Sequence, residues 1–395
     1  MEVSKPFIIR EVNDKKTRKE FLDFPARLYK KDKNWSRPLN EDIEKVFDPK
    51  QNKKFRQGNA IRYLLQNAEG RVIGKIAAFY DDGSAKNEQP TGGIGFFDCI
   101  NNQEAANLLF DKSKEWLQLQ GMEAMDGPVN FGERDSFWGC LVEGYTEPLY
   151  NMPYNFPYYK DLFLNYGFGL YFNQYTYHMK FIRSELQDVV AEKGMRVLNN
   201  PDYSFEMIRM DQAEKYALDF MEIFNKAWAR FPGVPKMRKI QAMALMKEIK
   251  PIADPRLIYF GYHKGQPVAF FIMMPDISQI FKKFNGNFNL FNKIRFLYLL
   301  KVRKKVNRVM GRIFGVVPQF HGKGVESGLV MAFARHAFNP NFPYSDLEMN
   351  WIGDFNPIMM KTVEQIGGKI NKIHQTYRYM FDRNKPVKRM GKVNQ

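Results

Sequence analysis

The residues best suited to chemistry in this 395-residue chain lie between Val316 and Leu329, in the order Val-Val-Pro-Gln-Phe-His-Gly-Lys-Gly-Val-Glu-Ser-Gly-Leu. An apolar run ends at Val317, and apolar residues at helical spacing resume at Val325. The segment therefore reads as the turn between a strand and a helix. Gly322 and Gly324 let the backbone bend sharply and present bare N–H groups, and the helix that follows adds the positive end of its dipole. That combination is a phosphate site. Lys323 supplies a point charge beside it, and His321 precedes it.

The stretch resembles the acyl-CoA-binding motif of the GNAT N-acetyltransferase superfamily. In that superfamily a strand ending in V-x-P leads through a basic or Gln residue to Gly-x-Gly-x-Gly/Ala and a helix. Val316, Pro318, Gly322, Lys323, Gly324, Val325, Ser327 and Leu329 carry the match. His321 stands where Arg or Gln is usual, and Glu326 where the last Gly or Ala is usual. Downstream, Trp351-Ile-Gly-Asp-Phe-Asn356 and a helix ending at Ile366-Gly-Gly368 resemble the family's next segment. Val363 replaces its common tyrosine acid and Gly368 its Phe.

The resemblance implies a thioester donor, acyl-CoA, held by Val316, Val317, His321, Gly322, Lys323, Gly324, Val325 and Ser327. It implies direct transfer to an amine, with a backbone N–H at Val316 or Val317 facing the oxyanion. Such a transfer needs a base for the ammonium proton. Glu348, alternating with Leu347 and Met349, and Asp354 are the candidates, either of which also reads as a solvent-facing carboxylate. Asn356 sits at the family's Asn position, and His321 is a further candidate base.

The elements that must position these groups form a repeated string. Ile8–Val12 reads as a strand and Phe21–Tyr29 as a helix. Arg62–Gln66 and Arg71–Tyr80 form a hairpin around a turn ending at Gly70. Gly92–Ile100 is a strand, and a helix over 101–120 starts at Asn101 or Asn102. A short helix ends at Gly167 before a strand over Tyr171–Ile182. The second half repeats the order: strand Tyr203–Met210, helix Ala213–Ala229, and hairpin Arg256–Tyr262 with Gln266–Met274. Strand Arg308–Val317, helix Val325–Phe338, strand Asp346–Ile352, helix Pro357–Gly367 and closing strands Ile370–Phe381 complete it. The expected fold is mixed α/β: two tandem GNAT-like domains, 1–185 and 186–395, each a twisted, mostly antiparallel sheet flanked by helices.

The first domain carries Asn101-Asn-Gln-Glu-Ala where a phosphate loop is due, so it reads as a degenerate copy serving as acceptor site or scaffold. Asn130, Tyr154, Asn155 and Tyr158, with Glu133 and Arg134, are candidate acceptor contacts or turn caps. Gly127-Pro-x-Asn130 and Tyr154-Asn-x-Pro-Tyr-Tyr159 resemble a bacterial tandem-GNAT group implicated in N-acylating long-chain amine bases, which implies a small-molecule or lipid acceptor.

Between Asp276 and Glu326 no acidic residue occurs. An insertion, about 277–308, holds Phe281, Phe284, Phe288, Phe291, Phe296 and Tyr298 among nine Lys or Arg residues. It reads as an ordinary packed insertion, as a peripheral membrane contact through 281–308, or, with less support, as a nucleic-acid surface, for which no recognised module is present. The net charge of +17 favours polyanionic partners. Two cysteines exclude a disulfide framework, and Cys140 reads as a buried residue. The five histidines lack metal-ligand spacing, so no metal is expected. No secretory signal and no 18-residue apolar run are evident. A cytoplasmic protein is expected, peripheral at the inner membrane face if the insertion binds lipid.

Overall fold

A computed structural model describes residues 7–86, 88–227 and 236–392. Its fourteen strands are β1 (Ile8–Glu11), β2 (Gly58–Gln66), β3 (Val72–Asp81), β4 (Thr91–Cys99), β5 (Ala124–Gly127), β6 (Cys140–Glu143), β7 (Gly169–Lys180), β8 (Tyr203–Met207), β9 (Ile258–His263), β10 (Gln266–Pro275), β11 (Arg308–Val316), β12 (Asp346–Met349), β13 (Ile352–Gly353) and β14 (Lys369–Met380). All belong to one sheet, in the order β1-β2-β3-β4-β5-β14-β7-β12-β11-β10-β9-β8, with β6 beside β14 and β13 beside β7. Among the described residues only β4/β5 and β11/β12 pair in parallel.

Local sequence accounts for most elements. Asn102 caps the helix Gln103–Leu119 by accepting from Ala105 N at 2.8 Å. The helix then buries Ala105, Ala106, Leu109, Phe110 and Leu117, the i, i+4 face its pattern requires. Gly167, at φ 106°, ends the helix Tyr159–Tyr166. The β9/β10 hairpin turns through Lys264 and Gly265, both left-handed. The helix expected over 213–229 is seen as Ala213–Ala227, its last two positions lying outside the described residues.

The centre of the sheet has a connectivity that the element string did not announce. β14, last in sequence, lies between β5 of the first half and β7, pairing with both. β7 in turn pairs with β12 of the second half. Each half therefore takes its closing strand from the other. The cores follow the exchange: Tyr377 of β14 stacks on Phe163 at 5.3 Å in the first core. Phe181, just past β7, meets Phe333 at 5.1 Å in the second.

The seam buries polar side chains as well. Gln174, Thr176, Lys372, His374 and Thr376 are each at most 2% exposed. Thr376 Oγ1 lies 3.0 Å from Gln174 Oε1 and receives Trp138 Nε1 at 3.1 Å. His374 Nε2 sits 3.0 Å from Pro153 O.

Burial lowers His374 from 6.5 to about 4, so the folded state holds it neutral near pH 5 while the unfolded chain protonates. Its contribution to stability is then complete above pH 6.5 and is lost as pH falls toward 4, a span worth roughly 3 kcal/mol. His374→Gln keeps a donor for Pro153 O and removes the titration. Urea midpoints measured from pH 7 to pH 5 should fall less steeply for that variant than for the natural chain. Parallel slopes would contradict the assignment.

Candidate functional site

The strand β11 runs beside β12 only from Arg308↔Asp346 to Gly311↔Met349, with one further bond from Asn350 N to Gly311 O at 3.0 Å. There β11 bulges: Gly311 faces Met273 of β10 and Ile313 faces Ile272, so Arg312 is the extra residue. A bulge re-aims a strand. Beyond it β11 follows β10 to Val316, while the chain after β12 turns away to pair as β13 with Tyr175 and Gln174. Two adjacent strands thus diverge and open a cleft.

Val317 N donates to Val268 O of β10 at 2.9 Å. Strand alternation then turns the Val316 N–H to the opposite edge, into the cleft. Of the two N–H groups proposed from sequence, Val316 faces the opening and Val317 is spent on the sheet.

At the end of β11 the chain makes a short helical turn, Pro318–Phe320, and enters the helix Val325–Ala337 through Gly322 (φ 72°) and Gly324 (φ 85°). The left-handed backbone favours glycine at 324, and a Cβ there would press at 3.0 Å on Val197 of the helix Asp188–Leu198. The first N–H groups of a helix have no internal partner, and those at 325–327 follow directly on the loop that leaves the end of β11. Lys323 is exposed and rests on the Phe320 ring at 5.3 Å. His321 Nε2 lies 2.9 Å from Val316 O, which ties the loop to the strand end. Glu326, in the helix's first turn, is raised above its ordinary value by burial, opposed by its own backbone N–H and by His321. Ser327 is half-buried one residue on.

The acid–base candidates occupy different surroundings. Glu348 is 1% exposed and held by two cations, Lys372 of β14 and Arg308 at 3.2 Å. Arg308 also clamps buried Asp276 at 2.6 Å and donates to the Glu147 and Pro148 carbonyls of the first half. Burial acts to lower Arg308, but Asp276 and Glu348 outweigh it and raise the guanidinium above its usual value. Lys372 is lowered by burial, with Glu348 opposing. Asp354 accepts from Asn173 N at 3.1 Å and Asn173 Nδ2 at 3.0 Å, and pairs with Arg389. Asn356 caps the helix Pro357–Gln365 by accepting from Met359 N at 3.2 Å.

The first-half candidates Asn130, Tyr154, Asn155 and Tyr158 all make bonds within that half. Tyr154 OH donates to Asp32 at 2.8 Å and Tyr158 OH to Cys99 O at 2.7 Å. Asn155 bridges both polar groups of the Leu141 backbone. Asn130 is 7% exposed, donates to Glu133 O at 3.1 Å, and keeps a buried Oδ1 with no hydrogen-bond partner among the described residues. Its loop touches both lips of the cleft: Asp135 pairs with Arg312 at 2.8 Å, and Arg134 O receives Trp351 Nε1 at 2.8 Å. Glu133 immediately precedes these two residues in the loop. Its side chain reaches solvent, yet the protein around it, and then Asp135, push it above the ordinary carboxyl range. Cys140 is fully buried, and burial raises its thiol.

No protein-family model matches the chain. Over 95% of its length it superposes on a solved tandem GNAT protein from the clavulanic acid biosynthesis pathway, covering 98% of that chain with a TM-score of 0.53 at 11% identity. The chain has the tandem GNAT fold. It is 24% identical over 371 residues to a Caulobacter vibrioides protein named bacterial ceramide synthase, covering 91% of this chain and 94% of that one. It is equally 24% identical over 381 residues to Protein YghO of Escherichia coli, covering 94% of each. The glycine-led helix falls in the second half, where the sequence suggests a strand-to-helix turn, and the strands that diverge beside it were not expected. The exchange of β7 and β14, and the contacts of Asp135 with Arg312 and of Arg134 with Trp351, escaped sequence reasoning, because partners far apart in the chain leave no local spacing to read.

Breaking the buried ion chain leaves an uncompensated charge. Lys372→Met and Glu348→Gln should each lower unfolding free energy by roughly 3 kcal/mol. The double variant should lose less than the sum, because neither remaining side chain is then charged and unpaired. Urea denaturation of the three variants checks this, and additive losses would contradict the coupling.

Proposed function

We propose that the chain is an N-acyltransferase that moves an acyl group from acyl-CoA directly to the amine of a small molecule or lipid base. The observation that carries the reading is the cleft between β11 and β12, ending on a helix start whose first N–H groups have no partner within the helix. The residues fit a pantetheine arm and its phosphates. The edge of β11 offers Val316 N–H to the thioester carbonyl, and the turn at Gly322, Lys323, Gly324, Val325 and Ser327 receives the pyrophosphate. His321 braces that turn through Val316 O. Glu326 opposes it electrostatically, and its raised pKa reduces that opposition.

The thioester supplies an activated carbonyl. Burial of Val316 N–H at a fixed strand edge stabilises the charge that develops there. The attacking amine must lose a proton, which a carboxylate at the cleft mouth accepts. Glu348 and Asp354 are already engaged by cations or backbone donors, so we assign the base to Glu133, whose raised pKa suits general-base work. The CoA thiolate leaves and is protonated from solvent. In this reading the second half, 186–395, holds the donor, and the first half, 1–185, supplies acceptor contacts, Asn130 Oδ1 among them. The relative named bacterial ceramide synthase supports a long-chain amine base as acceptor.

Titration calorimetry with acetyl-CoA and palmitoyl-CoA tests the donor site. Lys323→Glu, at an exposed position, should weaken binding roughly tenfold, and Glu326→Gln should tighten it roughly threefold. Absence of binding to either thioester, in the natural chain and in Glu326→Gln, would instead favour a non-catalytic GNAT-fold scaffold.

Glu133→Gln should lower kcat roughly 100-fold while leaving the KM for acyl-CoA unchanged, and should abolish the acidic limb of the pH–rate profile. A retained acidic limb would remove Glu133 from the mechanism.

A further inference from the structure

The insertion splits its aromatic residues between two faces. Phe281, Phe284 and Phe296 are buried in a small core with Leu39, Ile277 and Val306, against which Phe288 packs. That core rests on the first half: Tyr150 meets Phe281 at 5.1 Å, Asn40 N donates to Gly286 O at 2.8 Å, and Lys282 pairs with Glu147 at 2.9 Å. The insertion is therefore firmly seated.

The other face is unlike any ordinary surface. In the helix Leu290–Leu297 and the turn Tyr298–Val302 that continues it, Leu290 is 75% exposed, Phe291 72%, Ile294 63% and Val302 66%, with Leu297 and Tyr298 near half. At helical spacing Leu290, Phe291, Ile294, Leu297 and Tyr298 occupy one sector, opposite buried Phe296. Lys293 and Arg295 stand on either border of that sector, and Lys301, Arg303, Lys304 and Lys305 follow it. All six cations are exposed. None has a carboxylate partner among the described residues, the ion pairs of this segment being those of Lys282 and Arg308.

We propose that this face docks on an anionic lipid bilayer, with Leu290, Phe291, Ile294, Leu297 and Tyr298 entering the headgroup–acyl boundary and the six cations meeting lipid phosphates. An apolar sector bordered by unpaired cations is the arrangement that gains from both acyl contact and surface potential. Uncompensated positive charge opposes pairing with a second copy of the same face. The rigid seat below means that docking orders no new structure, which lowers its entropic cost. Lys15, Arg18 and Lys19, with Arg37 and two carboxylates, Asp23 and Glu44, line a depression that Asn287 also borders just before the helix.

Flotation of the full chain with vesicles tests the proposal and involves no acyl-CoA, so its outcome is separable from that of the acyl-transfer reading. The natural chain should float with phosphatidylcholine vesicles containing roughly 30 mol% phosphatidylglycerol, should not float with phosphatidylcholine alone, and should release as salt rises from about 0.1 to 0.5 M. The triple variant Leu290→Ser, Phe291→Ser, Ile294→Ser alters only exposed side chains and should keep its thermal transition while losing binding at least roughly tenfold. Lys301→Glu, Arg303→Glu, Lys304→Glu should lose a similar factor on anionic vesicles. Failure of the natural chain to float, or undiminished flotation of the serine variant, would overturn the proposal. So would sedimentation showing a dimer that the serine variant dissociates while neither protein floats.

Discussion

Pairing of β14 with β7, from Lys369↔His178 to Arg378↔Gly169, is the contact on which the rest of the molecule depends. Neither half closes its sheet without it. The first core needs Tyr377 and Tyr379 from the last strand, and the second needs Tyr177, Met179 and Phe181 from the end of the first half. Because each half completes the other, the two are coupled through backbone hydrogen bonds as well as through side-chain packing. The buried chain Asp276–Arg308–Glu348–Lys372 crosses the same seam. Its cost in desolvation is offset only when every charge has its partner, so it favours one register of the central strands.

That register has a consequence for the cleft. β12 is held against β7 and against the first four residues of β11, and it cannot follow β11 past the bulge at Arg312. The opening is thus a product of sheet geometry and persists without a ligand. The loop 130–138 then fixes the mouth, with Asp135 on one lip and Arg134 on the other. The first half therefore shapes the entrance to a cleft whose strands belong to the second half.

Much of this was legible in the sequence wherever the determinant was local. Asn102 as a cap, Gly167 as a terminator, the Lys264–Gly265 hairpin and the strand-to-helix turn at Gly322–Gly324 each depend on a few neighbouring residues. The turn itself was found for that reason. The strand exchange was not, since the alternation of β7 and β14 is the same whichever partner each takes. Glu348 looked free on its strand because its cations, Arg308 and Lys372, lie 40 and 24 residues away in sequence. Tyr154, Asn155 and Tyr158 were legible as polar, but their engagement with Asp32, Cys99 and Leu141 was not. The insertion's aromatics could be counted, while their division between inner and outer faces required the helix to be seated.

The central claim is that the donor lies along the edge of β11 and ends on the turn at Gly322. Hydrogen–deuterium exchange with and without palmitoyl-CoA tests it most directly, because the relevant groups are backbone amides. The account predicts slower exchange at Val316 and across residues 322–327 on addition of the thioester, with little change in β1–β4. Protection confined to another surface, or none at Val316 and the turn under saturating ligand, would contradict it.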